Sequence, residues 1–331
     1  MDRDRRAFLK SAAALVAAFP GAAASRLLGA AHAAPQQAPA SAATVVIIRR
    51  PQALLPDGSI NADMLASMLG ESVCRITGAA EPRSAWQSLF KPGEKIGIKV
   101  NAMGGIGICT HHALVFAIVR QMAAAGIAER DIIIWDRLTD ELERGGYPIR
   151  WSGSGIRCRG TDNDYESRIE TAGAVGSCFS RIITACDALL NIPVLKDHDL
   201  SGVSLGLKNF YGAIHNPNKY HDNGCDPFIA DLNTHPHIRN KLRLTVIDGL
   251  RGQYNGGPAC RVQWQWPCGG LILSRDPVAA DAVGAMLIDA QRKDRGLPAL
   301  ADAGRPPIHI KTAGARGLGI ADPDRISTIS L

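Results

Sequence analysis

The chain has 331 residues, eight cysteines and a formal net charge of +6. Five of its 37 lysines and arginines fall within residues 1–33, and the remainder carries about +3, too small an excess to argue for a nucleic-acid partner. No cysteine stands in a C-x-x-C pair, which removes a zinc ribbon and an integral ferredoxin motif.

Residues 1–33 read as an export signal rather than as part of a fold. Arg5-Arg6-Ala7-Phe8-Leu9-Lys10 precedes an alanine-rich stretch of modest hydrophobicity, and Ala31-His32-Ala33 supplies a small-x-small cleavage site. The segment resembles a bacterial twin-arginine signal, with Asp4 where Ser or Thr is more usual. A membrane anchor does not fit, because Pro20 and Gly21 break an apolar stretch already short of the roughly 18 residues that span a bilayer. Cleavage after Ala33 leaves 298 residues, enough for one large domain or two modest ones. The expected course is therefore passage through the twin-arginine translocase to the periplasm, with no membrane span in the mature chain. Residues 34–43 have linker composition, and a single α/β domain is expected over 44–331.

The domain opens with the strand "TVVIIRR". In chain order follow "KIGIKVN", "DIIIWD", "ALLNIPVLK", "LRLTVID" and "GLILS", short runs rich in Ile, Val and Leu. Helix-period segments at Asn61 to Gly78, Thr110 to Ala125 and Pro277 to Arg292 separate several of them. Such alternation predicts a mostly parallel sheet with helices on both faces. The polar, glycine-bearing stretch at about 138–181 breaks the pattern and predicts a small antiparallel insertion, an arm on the main domain.

In an open parallel sheet, ligands sit beyond the carboxyl ends of the strands. The apolar runs end on Lys99 and Asn101, on Asp136, on Lys196, Asp197 and His198, and on Asp248. Lysines, carboxylates, an amide and an imidazole converging on one crevice predict an anionic ligand, a metal, or acid/base work. Two glycine-bearing loops flank it. Gly105 and Gly107, in "AMGGIGICT", would let backbone N–H groups approach an anion, with Thr110 capping the next helix. The missing third glycine argues against a dinucleotide site. Asn255 and Gly257 follow the fourth strand in a tight turn that could cover the pocket, whereas Asp276-Pro277 is a helix start.

Val203, Leu207, Phe210, Tyr211 and Ile214 lie at the spacing of one helix face, predicting a helix over 202–214 with Lys208 and Asn209 directed toward the crevice. Asn216-Pro217 would end it, leaving His215 at the helix carboxyl end and His221 in the loop beyond. Either could join a carboxylate at a metal, although the lysines favour an anion, or a metal held with an anionic substrate. Cys260 and Cys268, closing the loop "CRVQWQWPC", are the first candidates for a disulfide, ahead of Cys178 and Cys186.

"KVN" after a strand, "NIPVLKDHDLSGVSLGLKNFYGAIHNP", "VIDGLRGQYNGGPA" and "LILSRDPVAADAVGAMLI", in that order, resemble the domain of unknown function 362 family across roughly Thr44 to Asp289. Some relatives carry a fused ferredoxin-like module with iron-sulfur clusters, which implies redox chemistry for the family. This chain lacks clustered cysteines, so the resemblance gives no warrant for an iron-sulfur cluster; a metal ion stays a candidate cofactor. The leading expectation is an exported, redox-linked enzyme acting on a small anionic substrate held by Lys99, Lys196 and Lys208, with Asp248 or His198 transferring protons. The alternative is a non-catalytic periplasmic binding protein or carrier for an anion or metal, using the same crevice.

Overall fold

The computed structural model describes residues 42–331, so the expected signal at 1–33 and residues 34–41 of the expected linker lie outside the described residues. The first strand, β1 (Ala43–Arg49), starts inside the expected linker. It leads to the helix Ala62–Thr77, which begins and ends where its sequence says it should. The Asn61 side chain accepts a hydrogen bond from the Met64 N–H, and Gly78 takes the left-handed conformation at φ 74° that closes a helix.

The strands that follow are β2 (Ile96–Val100), β3 (Ile132–Asp136), β4 (Arg157–Gly160), β5 (Glu170–Ala172), β6 (Val175–Ser177), β7 (Ala188–Ile192) and β8 (Val194–His198). After them come β9 (Gly202–Val203), β10 (Leu242–Gln253), β11 (Gln265–Trp266), β12 (Gly270–Ser274) and β13 (Ile326–Ser330). The main sheet runs β13-β1-β12-β10-β7-β2-β3-β4. Every neighbouring pair on that path is parallel except those made by β12, which lies antiparallel to β1 and β10. β8 and β11 branch from β10, and β9 pairs with β8.

Side-chain alternation divides the residues of each strand between two cores. Ile96, Ile98 and Val100 pack with the helices Ala62–Thr77, Pro82–Leu89 and His112–Ala124; Ile133 and Trp135 face the other way, into the core that includes Pro277–Asp294. Helices thus cover both faces, as expected for a mostly parallel sheet. Within 138–181, β4 joins the main sheet beside β3, while β5 and β6 form a separate antiparallel hairpin.

Three local expectations change. Pro193 has no N–H for a ladder, and the single strand expected through "ALLNIPVLK" divides there into β7, beside β2, and β8, beside β10. β10 continues to Gln253, so Asp248 stands inside a strand and not at its end. The expected helix over 202–214 is a short strand, β9, then one helical turn, Gly206–Asn209, then a 3-10 turn, Phe210–Ala213. Its five apolar residues are nonetheless all buried. The first turn is held from outside: the Asp281 carboxylate accepts the Gly206 and Leu207 N–H groups at 2.7 and 2.9 Å.

Candidate functional site

Beyond the carboxyl ends of β2, β3 and β8 lies a crevice of about 340 Å³, lined by Lys99, Asn101, Asp136, His198, Lys208, Asn209, Tyr211 and His221, among others. That volume suits a small molecule. Its floor is a closed polar network. Lys99 Nζ donates to Asp136 Oδ1 at 2.6 Å, to the Val100 carbonyl at 2.7 Å and to Asn209 Oδ1 at 3.2 Å, which uses all three of its protons. Asp136 accepts from the Ala102 and Arg137 N–H groups as well. Asn209 also donates to Asn191 at 2.7 Å. Gly212 comes down directly on the Lys99–Asp136 pair, where any Cβ would crowd both side chains. Lys99 and Asp136 are thus a buried, fully satisfied ion pair with little capacity left for a ligand.

Lys196 and Lys208 differ. Lys196 is wholly buried and donates only to Asn101 Oδ1 at 2.8 Å and the Met103 carbonyl at 3.1 Å. Lys208 Nζ sits 3.0 Å from His221 Nε2 and 4.2 Å from the centre of the Tyr211 ring. Among the described residues neither has a carboxylate at ion-pair distance, and burial pushes each down to about 8. A buried ammonium without a counterion is the feature that an anion would complete.

The two imidazoles take opposite roles. His198 Nδ1 accepts the Leu200 and Ser201 N–H groups at 3.1 and 3.3 Å, which leaves the ring proton on Nε2. Burial, then Lys208 and His221, push His198 down to about 2, so the ring is neutral. Asp199 Oδ1, 3.1 Å from Nδ1, therefore makes no ion pair with it. His221 Nδ1 lies 3.1 Å from the Pro217 carbonyl and donates to it, leaving the Nε2 lone pair to accept from Lys208. The rings stack with centroids 6.0 Å apart. One offers an N–H and the other a lone pair joined to an ammonium.

Other residues expected at the site stand elsewhere. Asp248 is fully buried on the sheet face opposite Lys99, packed with the helix His112–Ala124. Its Oδ2 accepts the His111 backbone N–H at 2.7 Å and contacts His111 Nδ1 at 2.8 Å. The alternation that carries Leu244 and Val246 to that face carries Asp248 with them. Asp248 is thus a helix-capping group outside the crevice. Thr110 does not cap that helix; it ties β2 to β7, accepting from the Asn101 N–H and donating to the Ile192 carbonyl. The Gly105 N–H is spent on the Ala102 carbonyl, and Gly107 packs against Cys260, so neither lines the crevice.

Asn255 Oδ1 accepts from Arg292 and Arg305 at 3.0 and 2.7 Å, outside the crevice. Gly257 donates to Asp197 Oδ1 at 2.9 Å and lies so close to the Asp197 backbone that only glycine fits; its neighbour Pro258 reaches the crevice wall. His215 is exposed, edge-on to Tyr165, and does not join His221 at a metal. All eight cysteines are free, which corrects the disulfide expected between Cys260 and Cys268. A 3-10 turn and β11 occupy the intervening loop, with Cys260 turned to Gly107 and Gln265 and Cys268 toward Arg49 and Trp266.

Four features of the site carry no signal in the sequence: Tyr211 as a cation partner, the Lys208–His221 contact, Asp281 as the anchor of the lysine-bearing turn, and the Asp197–Arg305 ion pair at 2.7 Å. Asp197 stands at a strand end like the crevice residues, yet Arg305, far along the chain, neutralises it.

The family described as Domain of unknown function (DUF362) matches residues 96–286. No curated protein matches the chain. Among solved structures, the lactate racemase apoprotein from Thermoanaerobacterium thermosaccharolyticum is similar at 13% identity and a TM-score of 0.36, over 61% of this chain and 50% of that one. The chain spans about half the length of that structure.

Proposed function

We propose, for a chain that belongs to the domain of unknown function (DUF362) family, an exported enzyme that binds a small anionic substrate in the Lys/His crevice and performs acid/base chemistry on it. The observation that carries this reading is Lys208: a buried ammonium with no carboxylate partner among the described residues, hydrogen-bonded to a histidine lone pair, on the wall of a crevice sized for a small molecule. A bound anion would complete the charge of Lys208, with Lys196 adding positive potential from beneath. Lys208 Nζ, hydrogen-bonded to His221 Nε2, would relay a proton between substrate and that imidazole, and His198 Nε2–H would donate a hydrogen bond to an oxygen where charge develops. A redox-linked version needs a bound cofactor, and an absorption spectrum with elemental analysis of protein purified from its exported pool tests it.

Calorimetric titration with a panel of small carboxylates and oxyanions tests the reading. At least one should bind the full-length protein, and Lys208→Met should weaken it by roughly 30-fold or more, in line with the loss of about 2 kcal/mol or more for a charge-assisted hydrogen bond. For a ligand that is turned over, His221→Gln should stop turnover while binding survives. Binding that Lys208→Met leaves intact would put the anion site elsewhere. A ligand bound but never turned over would make the protein a carrier.

A further inference from the structure

The geometry points to a second site, away from the crevice: a zinc-binding staple made by Glu170, His235 and His237. None of the three lines the crevice. Glu170 opens β5, while His235 and His237 flank Pro236 at the start of the short helix Pro236–Arg239. Each offers one ligand atom, and these atoms all lie within 4.8 Å of one another.

The three side chains meet through long contacts, one of them a hydrogen bond between His237 Nε2 and Glu170 Oε1, at spacings that a shared ion could span. Glu170 Oε2 is 3.4 Å from His235 Nε2, and Oε1 is 3.3 Å from His237 Nε2. Charge-assisted hydrogen bonds run at about 2.7–2.9 Å, so both contacts are long. The edge of a tetrahedron built on zinc–ligand bonds of about 2.0–2.1 Å is about 3.3 Å, close to each of these separations, which two different oxygens of Glu170 make. Two imidazoles and a carboxylate select zinc and its transition-metal neighbours over magnesium or calcium. The side chains of Glu170 and His237 are 32% and 25% exposed, which leaves room for water as a fourth ligand.

The rings are set in advance. Phe179 stacks on His235 with centroids 4.2 Å apart and meets His237 edge-on at 5.4 Å. The Lys241 ammonium is committed to the Ile183 and Thr184 carbonyls. Metal on His235 Nε2 places the ring proton on Nδ1 and ends one native contact, the 3.3 Å hydrogen bond that Nδ1 accepts from the His237 N–H.

The consequence is mechanical. The β5–β6 hairpin pairs with no other strand among the described residues, and two-stranded hairpins are marginal alone. An ion between Glu170 and the two histidines clamps that hairpin to the segment leading into β10.

The test titrates Zn²⁺ alone into the full chain after chelator treatment, with Co²⁺ as an optical probe. One Zn²⁺ per chain should bind at micromolar concentration or below, and Co²⁺ should give the visible absorption of a tetrahedral site. His237→Ala and Glu170→Gln, both at partly exposed positions, should each weaken binding by at least roughly 100-fold, beyond what loss of an outer-shell group costs. Hydrogen exchange across 170–177 should slow when Zn²⁺ is bound, and His215→Ala should change nothing. Zinc bound only at millimolar concentration, or equally well by the wild type and both variants, would overturn the assignment.

Discussion

Lys208 makes the proposed crevice sensitive to pH. Burial lowers it from 10.5 to about 8, and Lys196 behaves alike. Below about pH 8 an incoming anion meets an ammonium, and above it an amine, so anion affinity should fall as pH rises through that value. Stability moves the opposite way. Between about 8 and 10.5 the unfolded chain holds protons that the folded lysines have released, so the ligand-free protein gains stability across that window as pH rises. Calorimetric titrations of the same anion at a series of pH values check the first statement; affinity that stays flat from about pH 7 to pH 9 would remove Lys208 from the binding step. Much of this residue-scale picture was legible in advance, because strand ends mark ligand edges and the lysines follow apolar runs. Asp248 misled because sequence shows neither where a strand stops nor which face a given residue takes. His221 was visible as a histidine but not as the partner of Lys208, a pairing across an irregular loop that no spacing rule reaches.

At the scale of elements, the strands β1, β2, β3 and β12 and the three long helices follow from periodicity, caps and glycine to within a residue or two, whereas β10 runs five residues past its expected end and Pro193 divides one expected strand in two. The segment over 202–214 shows where periodicity stops deciding. Its apolar spacing correctly marks what is buried, but Gly202 at φ 78° opens β9, which pairs with β8, and the turn that follows donates its first N–H groups to Asp281 on a helix distant in sequence. Asp281 is thus a positioning residue for Lys208 and Asn209. Asp281→Ala leaves the buried Gly206 and Leu207 N–H groups without an acceptor, at about 1–3 kcal/mol for each. Denaturant unfolding should show that loss with an unchanged slope, together with weaker anion binding. A loss below about 0.5 kcal/mol, the range of ordinary surface substitutions, would mean the turn holds itself.

For the molecule as a whole, the free cysteines and the proposed twin-arginine route bear on one another. Oxidising compartments pair thiols that an unfolded chain brings within reach. Here Cys109, Cys158, Cys186 and Cys225 are buried, and burial pushes Cys109 and Cys186 up to about 11 and Cys158 up to about 12, so they stay protonated and unreactive. A chain that folds in the reducing cytoplasm and crosses folded would carry these thiols across inside its core, shielded from oxidation. Protein recovered from the exported fraction and denatured under alkylating conditions should therefore yield Cys109, Cys158, Cys186 and Cys225 as modified thiols. Replacing Arg5 and Arg6 together by lysine should leave folded, uncleaved protein in the cytoplasm, as seen by fractionation. Loss of any of these four thiols would show a bond formed outside, and continued export of the double variant would show a route that carries unfolded chains. Either result would separate the cysteine pattern from the route proposed to explain it.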